Sequence, residues 1–328
     1  MATAEQLRAL LRSYAEGDEP RFLSVAMQIA ALEAKQGHSK LAQELRAVID
    51  EVKTRGVVAP RTPHQPVPLV QPKGELAGVL SVTYSRTHLQ EMVLEDSVRE
   101  RLLRVLREQH QQHKLREHGL RPRHRILLVG PPGSGKTMTA SALAGEMTLP
   151  LFSIQLDGLL TKFMGETAAK LRLVFDAIRT TRGVYLFDEF DSIGGHRAAA
   201  NDVGEIRRVL NSFLQFLEND DSDSLIIAAT NNPQLLDAAL FRRFDDVIEY
   251  RGPTKDLAAQ LVSARLGPFL GKDLDLMEVT QSASDLSYAD LARACDDAVK
   301  EAILRDSSQV HGPALLAALE ERRSARRI

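Results

Sequence analysis

Residues 125 to 147 constrain the chain more than any other stretch: an apolar run, a glycine-rich turn and a helical pattern follow in direct succession. Arg125-Ile126-Leu127-Leu128-Val129 is short and almost wholly apolar, the character of a parallel strand buried on both faces. Gly130-Pro131-Pro132-Gly133-Ser134-Gly135-Lys136-Thr137 comes next, and Met138 to Met147, rich in alanine and leucine, reads as a helix. Glycine, four residues, then Gly-Lys-Thr is a phosphate-gripping pattern. Its glycines let the backbone turn tightly and aim several N–H groups at one point, and the helix start adds its positive dipole end. Lys136 can reach the outer phosphates of a nucleotide and Thr137 can hold a magnesium ion. A Gly/Pro turn that binds nothing is the plain alternative, and the strand-loop-helix setting argues against it.

With 328 residues, 44% of them hydrophobic and 26% charged, the chain has the make-up of a soluble globular protein with room for more than one domain. A formal net charge of -2 supplies no overall field to draw in nucleic acid or anionic membrane. The single cysteine, Cys295, excludes an internal disulfide framework and reads as a small buried hydrophobe in a helical pattern. The first residues lack the apolar core of a signal peptide, and no run is long enough to span a bilayer. A cytoplasmic protein with no membrane partner is expected.

Helical periodicity over the first 55 residues (Leu7, Leu10, Leu11, Tyr14; Phe22, Val25, Ala26, Ile29; Leu41, Leu45, Val48) predicts a bundle of about three helices over 1–56. Pro60, Pro63, Pro66, Pro68 and Pro72 make 57–75 a semi-rigid linker. Residues 89–120 read as charged helix, with His110, His113 and His118 on a solvated face rather than as a metal set, since no acid or cysteine completes one. Strands are expected at 125–129, 150–156, 183–188, 224–230 and 246–250, and helices at 135–147, 166–180, 203–218 and 234–240. That alternation predicts an α/β fold over 76–252, a parallel sheet sandwiched by helices. Beyond Gly252-Pro253 only helical spacing remains, at 254–266, 288–305 and 313–325, so 253–328 reads as a small all-α lid.

Three further segments carry chemistry. Val184-Tyr185-Leu186-Phe187 delivers Asp188 and Glu189 to the carboxyl edge of the sheet, where ligands bind in such folds. There Asp188 can join the magnesium shell and Glu189 can orient or deprotonate an attacking water. Leu225 to Thr230 delivers Asn231, whose amide could steady the same water, or could be a turn asparagine ahead of Asn232-Pro233. Leu240-Phe241-Arg242-Arg243-Phe244-Asp245 anchors two arginines between aromatics; guanidinium suits a developing phosphate charge, with structural salt bridges as the other reading.

Taken together, Gly130–Thr137, Phe187-Asp188-Glu189-Phe190-Asp191-Ser192-Ile193-Gly194, Ala228-Ala229-Thr230-Asn231 and Leu236 to Asp245 resemble the AAA family of ATPases in order and spacing, over roughly residues 90–305. The resemblance implies ATP and Mg2+ as cofactors, a homo-oligomer in the form of a hexameric ring, and remodelling of protein substrates. It places Pro132, Gly133, Ser134, Gly135, Lys136, Thr137 and Met138 on the nucleotide, and Thr137 and Asp188 on the metal. Glu189 and Asn231 take catalytic positions, and Arg242 and Arg243 those of arginine fingers that reach a neighbour's nucleotide. Glu205 opens what resembles the second region of homology. Lys162-Phe163-Met164-Gly165 resembles a substrate-gripping pore loop, Gly194-Gly195-His196-Arg197 a second and weaker one, with Arg197 near the subunit boundary. Ser287-Tyr288-Ala289-Asp290 departs from the family's usual Ser-Gly-Ala-Asp: the serine and acid still make a helix start, while Tyr288 leaves less room near the base. No arginine begins that helix, so no second sensor is assigned.

The N-terminal segment resembles that of small bacterial AAA ATPases encoded beside a subtilisin-like serine protease in phage defence, which implies a partner or substrate recruitment role and a cognate serine protease. A generic adaptor-binding bundle is the rival. Two other functions compete with remodelling. A nucleic-acid loader or transposition helper would use the basic end Arg322-Arg323-Ser324-Ala325-Arg326-Arg327, but the balanced charge makes nucleic acid an unfavoured partner. A nucleotide-gated scaffold would bind ATP and hardly turn it over.

Overall fold

The computed structural model describes residues 25–30, 32, 38, 43, 74–159, 164–191, 203–235 and 238–325. The chain divides into two compact units, Met1–Val67 and Pro68–Ile328. In the first, residues 25–30 are helical. Apart from residues 32, 38 and 43, the rest of the expected bundle, and the proline-rich segment up to residue 73, lie outside the described residues.

The second unit is built on a six-stranded sheet. Its strands are β1 (Leu80–Thr83), β2 (Arg125–Val129), β3 (Leu151–Ile154), β4 (Val184–Phe187), β5 (Leu225–Thr230) and β6 (Asp246–Glu249), in the spatial order β1-β3-β4-β5-β2-β6. All pairs from β3 to β6 are parallel, and β1 pairs antiparallel with β3. The parallel sheet expected from the sequence therefore carries one additional edge strand of opposite direction.

The central strands are apolar at nearly every position because both faces are covered. On one face Leu127, Phe187 and Ile226 pack under α4 (Met164–Thr180) and α5 (Val203–Glu218), through Phe175, Phe213 and Leu217. On the other, Ile126, Leu128 and Leu186 pack under α1 (Asp96–His110) and α3 (Lys136–Met147), through Leu102, Val105 and Leu143. Between α1 and β2 lies α2 (Gln112–Glu117), where His113 faces Glu117 from an exposed position. His110 and His118 are exposed too.

The strands end in a way that aims the site. Phe187 and Phe190 are fully buried, and Phe213 lies edge-on to Phe187 at 5.1 Å and tilted against Phe190 at 4.7 Å. Each such ring contributes roughly 1.5–3 kcal/mol by burial. With both aromatics pinned, Asp188 and Glu189 between them are left to project from the carboxyl end of β4.

Four helices follow the sheet: α6 (Lys255–Leu266), α7 (Leu276–Ser282), α8 (Tyr288–Leu304) and α9 (Gly312–Ala325). They enclose their own core of Val262, Leu291, Cys295, Leu315 and Leu319. Cys295 is fully buried there, and burial pushes its thiol up to about 12, as befits a hydrophobe rather than a nucleophile. No helix of the described residues is long and apolar enough to cross a membrane.

Candidate active site

Three strands bring ten of the expected residues to one edge: 132 to 138, with Asp188, Glu189 and Asn231. β2 leads into the glycine-rich loop, β4 ends at Asp188 and Glu189, and β5, lying between them, ends at Asn231. In the loop Gly133 and Gly135 have φ of +74° and +97°, a left-handed backbone that other residues adopt only under strain. Gly135 precedes the first turn of α3 without a side-chain cap. The first N–H groups of α3, on Lys136, Thr137 and Met138, therefore form the kind of unsatisfied donor cluster that anions seek.

Lys136 is 6% exposed, and its Nζ donates to Gly130 O at 2.8 Å, Pro131 O at 2.9 Å and Asn231 Oδ1 at 2.8 Å. Burial lowers its pKa below the ordinary 10.5, against the opposing charges of Asp188 and Asp191. Thr137 Oγ1 donates to Asp188 Oδ2 at 2.7 Å. A hydroxyl and a carboxylate side by side are the oxygen donors that a hard divalent cation takes, so this pair fits Mg2+. Glu189 has a φ of +48°, an uncommon backbone for a residue with a side chain, and it projects into solvent beside Asp188.

These residues share a cavity of about 500 Å3 with segments that carry no motif. Glu91, Met92, Val93 and Leu94 line it ahead of α1, and Leu261, Ala264, Arg265, Tyr288, Ala289 and Ala292 line it from the helical region. The last group rests directly on the glycine-rich loop: Ala289 N–H donates to Gly133 O at 3.1 Å. A Cβ added to Gly133 would come within 2.5 Å of Ser287 Oγ. Ser287 and Asp290 form a reciprocal cap on α8, as their order in the sequence led us to expect. Tyr288 does reach the cavity, and burial, aided by the charge of Glu95, pushes its phenol up to about 12. Arg265 also reaches it, with its charge met by Asp296 at 2.7 and 2.8 Å. Sequence reasoning missed Arg265 and the Glu91–Leu94 segment because no spacing ties them to the loop.

The arginines lie elsewhere. They precede β6, and β6 runs parallel to β2 with Asp246 opposite Ile126 and Glu249 opposite Val129. Arg242 and Arg243 thus sit at the amino edge of the sheet, a strand length of about 13 Å from the glycine-rich loop of their own chain. They line a second cavity of about 530 Å3 with Arg125, Glu218 and Asp245. Arg243 pairs with Glu218 at the end of α5, whereas Arg242 is exposed with no ion-pair partner among the described residues. Asp245 fastens the segment to β2: its Oδ2 accepts from the backbone N–H groups of His124 and Arg125, each at 2.9 Å, and its Oδ1 accepts from Arg125 Nη2 at 2.8 Å.

Of the pore-loop residues, Lys162 and Phe163 lie outside the described residues, while Met164 and Gly165 begin α4. Gly194 to Arg197 also lie outside them. At the basic C-terminus, Arg322 pairs with Asp297 and Arg323 with Asp285 and Glu320.

Residues 126–251 match the family described as "ATPase family associated with various cellular activities (AAA)". The chain is 32% identical over 310 residues to the uncharacterized AAA family ATPase y4kL of Sinorhizobium fredii, covering 94% of this chain and 92% of that one. It is 37% identical over 209 residues to the peroxisomal ATPase pex6 of Schizosaccharomyces pombe, and 37% identical over 205 residues to the ATP-dependent zinc metalloprotease FtsH 1 of Methylacidiphilum infernorum. In each of those two alignments 60% of this chain takes part, and it spans only 22% and 32% of the respective relative. With the glycine-rich loop, the strand-end acids and the helical region assembled around one cavity, the chain belongs to the AAA family of ATPases.

Proposed function

We propose that this ATPase works as a ring of identical subunits, a hexamer, that couples ATP turnover to the remodelling of protein substrates. The observation that carries the reading is the split of the hydrolytic residues between opposite edges of one sheet. Lys136 and the α3 N–H groups hold the phosphates at the carboxyl edge. Thr137 and Asp188 supply the oxygens for Mg2+, which when bound offsets phosphate charge. Glu189 takes the proton of the attacking water, and Asn231 orients that water. Arg242 and Arg243, out of reach of their own nucleotide, stabilise the transferring phosphoryl group in the next subunit.

The relatives named as peroxisomal ATPase and ATP-dependent metalloprotease support work on proteins. Phe163 and Met164 are the residues we assign to gripping a polypeptide in the central pore. The N-terminal segment is assigned to recruitment, with a cognate serine protease in phage defence as the partner that its resemblance suggests. The ion pairs of Arg322 and Arg323 remove much of the support for a nucleic-acid-handling role.

The test is Glu189→Gln, which is expected to bind ATP and assemble normally while phosphate release stops. Used as bait in native cells, the same variant should retain its protein substrate. Normal steady-state hydrolysis by Glu189→Gln would refute the assignment of the base.

A further inference from the structure

We infer that Asp191 is a positioning residue for ATP hydrolysis, holding the end of β5 so that Asn231 meets Lys136 and the attacking water at a fixed place. The inference rests on the role given to Asn231 above. The placement of Asp191 is itself fixed. Phe190 is fully buried, and its N–H donates to Ala229 O at 2.8 Å, which carries the pairing of β4 and β5 one step past the end of β4. Asp191 is thereby brought against the last residue of β5.

Its Oδ1 accepts two hydrogen bonds, from Thr230 Oγ1 at 3.1 Å and from the backbone N–H of Asn231 at 3.1 Å. The Thr230 hydroxyl is used twice, since it also accepts from Asn232 N–H at 3.1 Å. Thr230 is fully buried, and its carbonyl takes Gly130 N–H at 3.2 Å. One carboxylate oxygen therefore sets the backbone from which the Asn231 side chain departs. That same backbone anchors the first glycine of the phosphate loop. The Asn231 amide then accepts from Lys136 at 2.8 Å. Hydrogen bonds to an ionised acceptor are roughly twice as strong as neutral ones, which suits a residue that must keep a neighbour in register.

A carboxylate that merely closed a turn would stabilise the fold and leave the balance of kcat and KM alone. The experiment measures kcat, KM, the affinity for a fluorescent ATP analogue and the melting temperature of the full-length chain. Asp191→Ala is expected to lower kcat about tenfold to a hundredfold with KM and affinity within about threefold, the cost of a misplaced group. Asp191→Asn, which keeps an acceptor oxygen for the same two donors, should recover most of that loss. Asp191→Ala combined with Asn231→Ala should be no slower than Asn231→Ala alone, because both changes remove one function.

If Asp191→Asn is as slow as Asp191→Ala, or if the double variant multiplies the two losses, the inference is overturned. Full turnover by Asp191→Ala alongside a slow Asn231→Ala also overturns it, leaving the role of Asn231 standing. Full turnover by Asn231→Ala would instead refute that underlying role. Should Asp191→Ala fail to fold, Thr230→Val removes one of the two donors without touching a charge. It is expected to lower kcat about threefold to tenfold at unchanged affinity, and an unchanged kcat would again overturn the inference.

Discussion

The two edges of the sheet are built from different materials. At the carboxyl edge the functional groups satisfy one another: Lys136 donates to Asn231, Thr137 to Asp188, and Asp191 accepts from Thr230 and Asn231. At the amino edge Arg243 and Asp245 are tied down by Glu218 and Arg125, and Arg242 stands exposed beside them. One edge can receive a triphosphate. The other offers a guanidinium, that of Arg242, with no ion-pair partner among the described residues. In the ring proposed above, a catalytic centre divided in this way would be completed by contact between copies, and turnover would then depend on assembly.

The strongest way to break that comparison is to separate the halves. Arg242→Ala is expected to cut turnover by about a thousandfold while ATP binding stays intact, the scale associated with losing an arginine finger. Glu189→Gln should be equally inactive for the opposite reason. Mixed together, the two inactive variants should recover measurable phosphate release. In some rings an Arg242→Ala subunit contributes an intact Glu189 and receives Arg242 from its neighbour. If each chain completed its own centre, the mixture would stay as inactive as its components.

Most of the carboxyl edge was legible before any geometry, because Asp188 and Asn231 follow largely apolar strands and Lys136 and Thr137 follow a glycine-rich turn after one. The amino edge was only half legible. Arg242 and Arg243 could be picked out as a pair, but their different fates depend on Glu218, twenty-odd residues earlier, and on how β6 registers with β2. Short elements escaped for a related reason. The four residues of β1 have too few positions to show a period, and their pairing partner β3 is more than sixty residues away. The seven residues of α7 are recognisable mainly by the Asp275 side chain, which accepts from Met277 N–H at 2.8 Å. The cavity wall from Glu91 to Leu94 and at Arg265 depends wholly on folding. The pore-loop reading at Lys162 and Phe163 lies outside the described residues and rests on resemblance.

A second, smaller effect should sharpen the contrast by its pH dependence. Burial by itself would raise the pKa of Asp245, but the Arg125 side chain and the His124 and Arg125 backbone N–H groups outweigh it and hold the carboxyl below its ordinary 3.8. The unfolded chain therefore binds the proton first. The stabilisation from Asp245 is complete above that ordinary value and is lost as the pH falls from there through the lower folded-state value. Asp245→Asn is expected to cost about 1–3 kcal/mol at neutral pH, the scale of hydrogen bonds to a charged group, and to weaken the dependence of stability on pH in that acid range. Denaturant unfolding at a series of pH values measures both. An unchanged acid limb in Asp245→Asn would mean that the amino edge is not held by this carboxylate.

The smallest effect probes how the helical lid is seated on the carboxyl edge. Ser287 accepts from Asp290 N–H and caps α8, and it occupies the space that a Cβ on Gly133 of the phosphate loop would need. Ser287→Ala removes the cap, at about 1 kcal/mol, next to the glycine-rich loop. For a unit of this size a loss of that order shifts the melting temperature by roughly 2–4 °C. Were Ser287 only a cap, ATP would stabilise the variant and the parent by the same increment. If the cap also sets the distance between lid and loop, the increment should shrink, because Ala289 and its hydrogen bond to Gly133 O follow Ser287 directly. Thermal unfolding with and without ATP separates the two contributions, and the difference between the increments measures how far the lid's seating enters the nucleotide site.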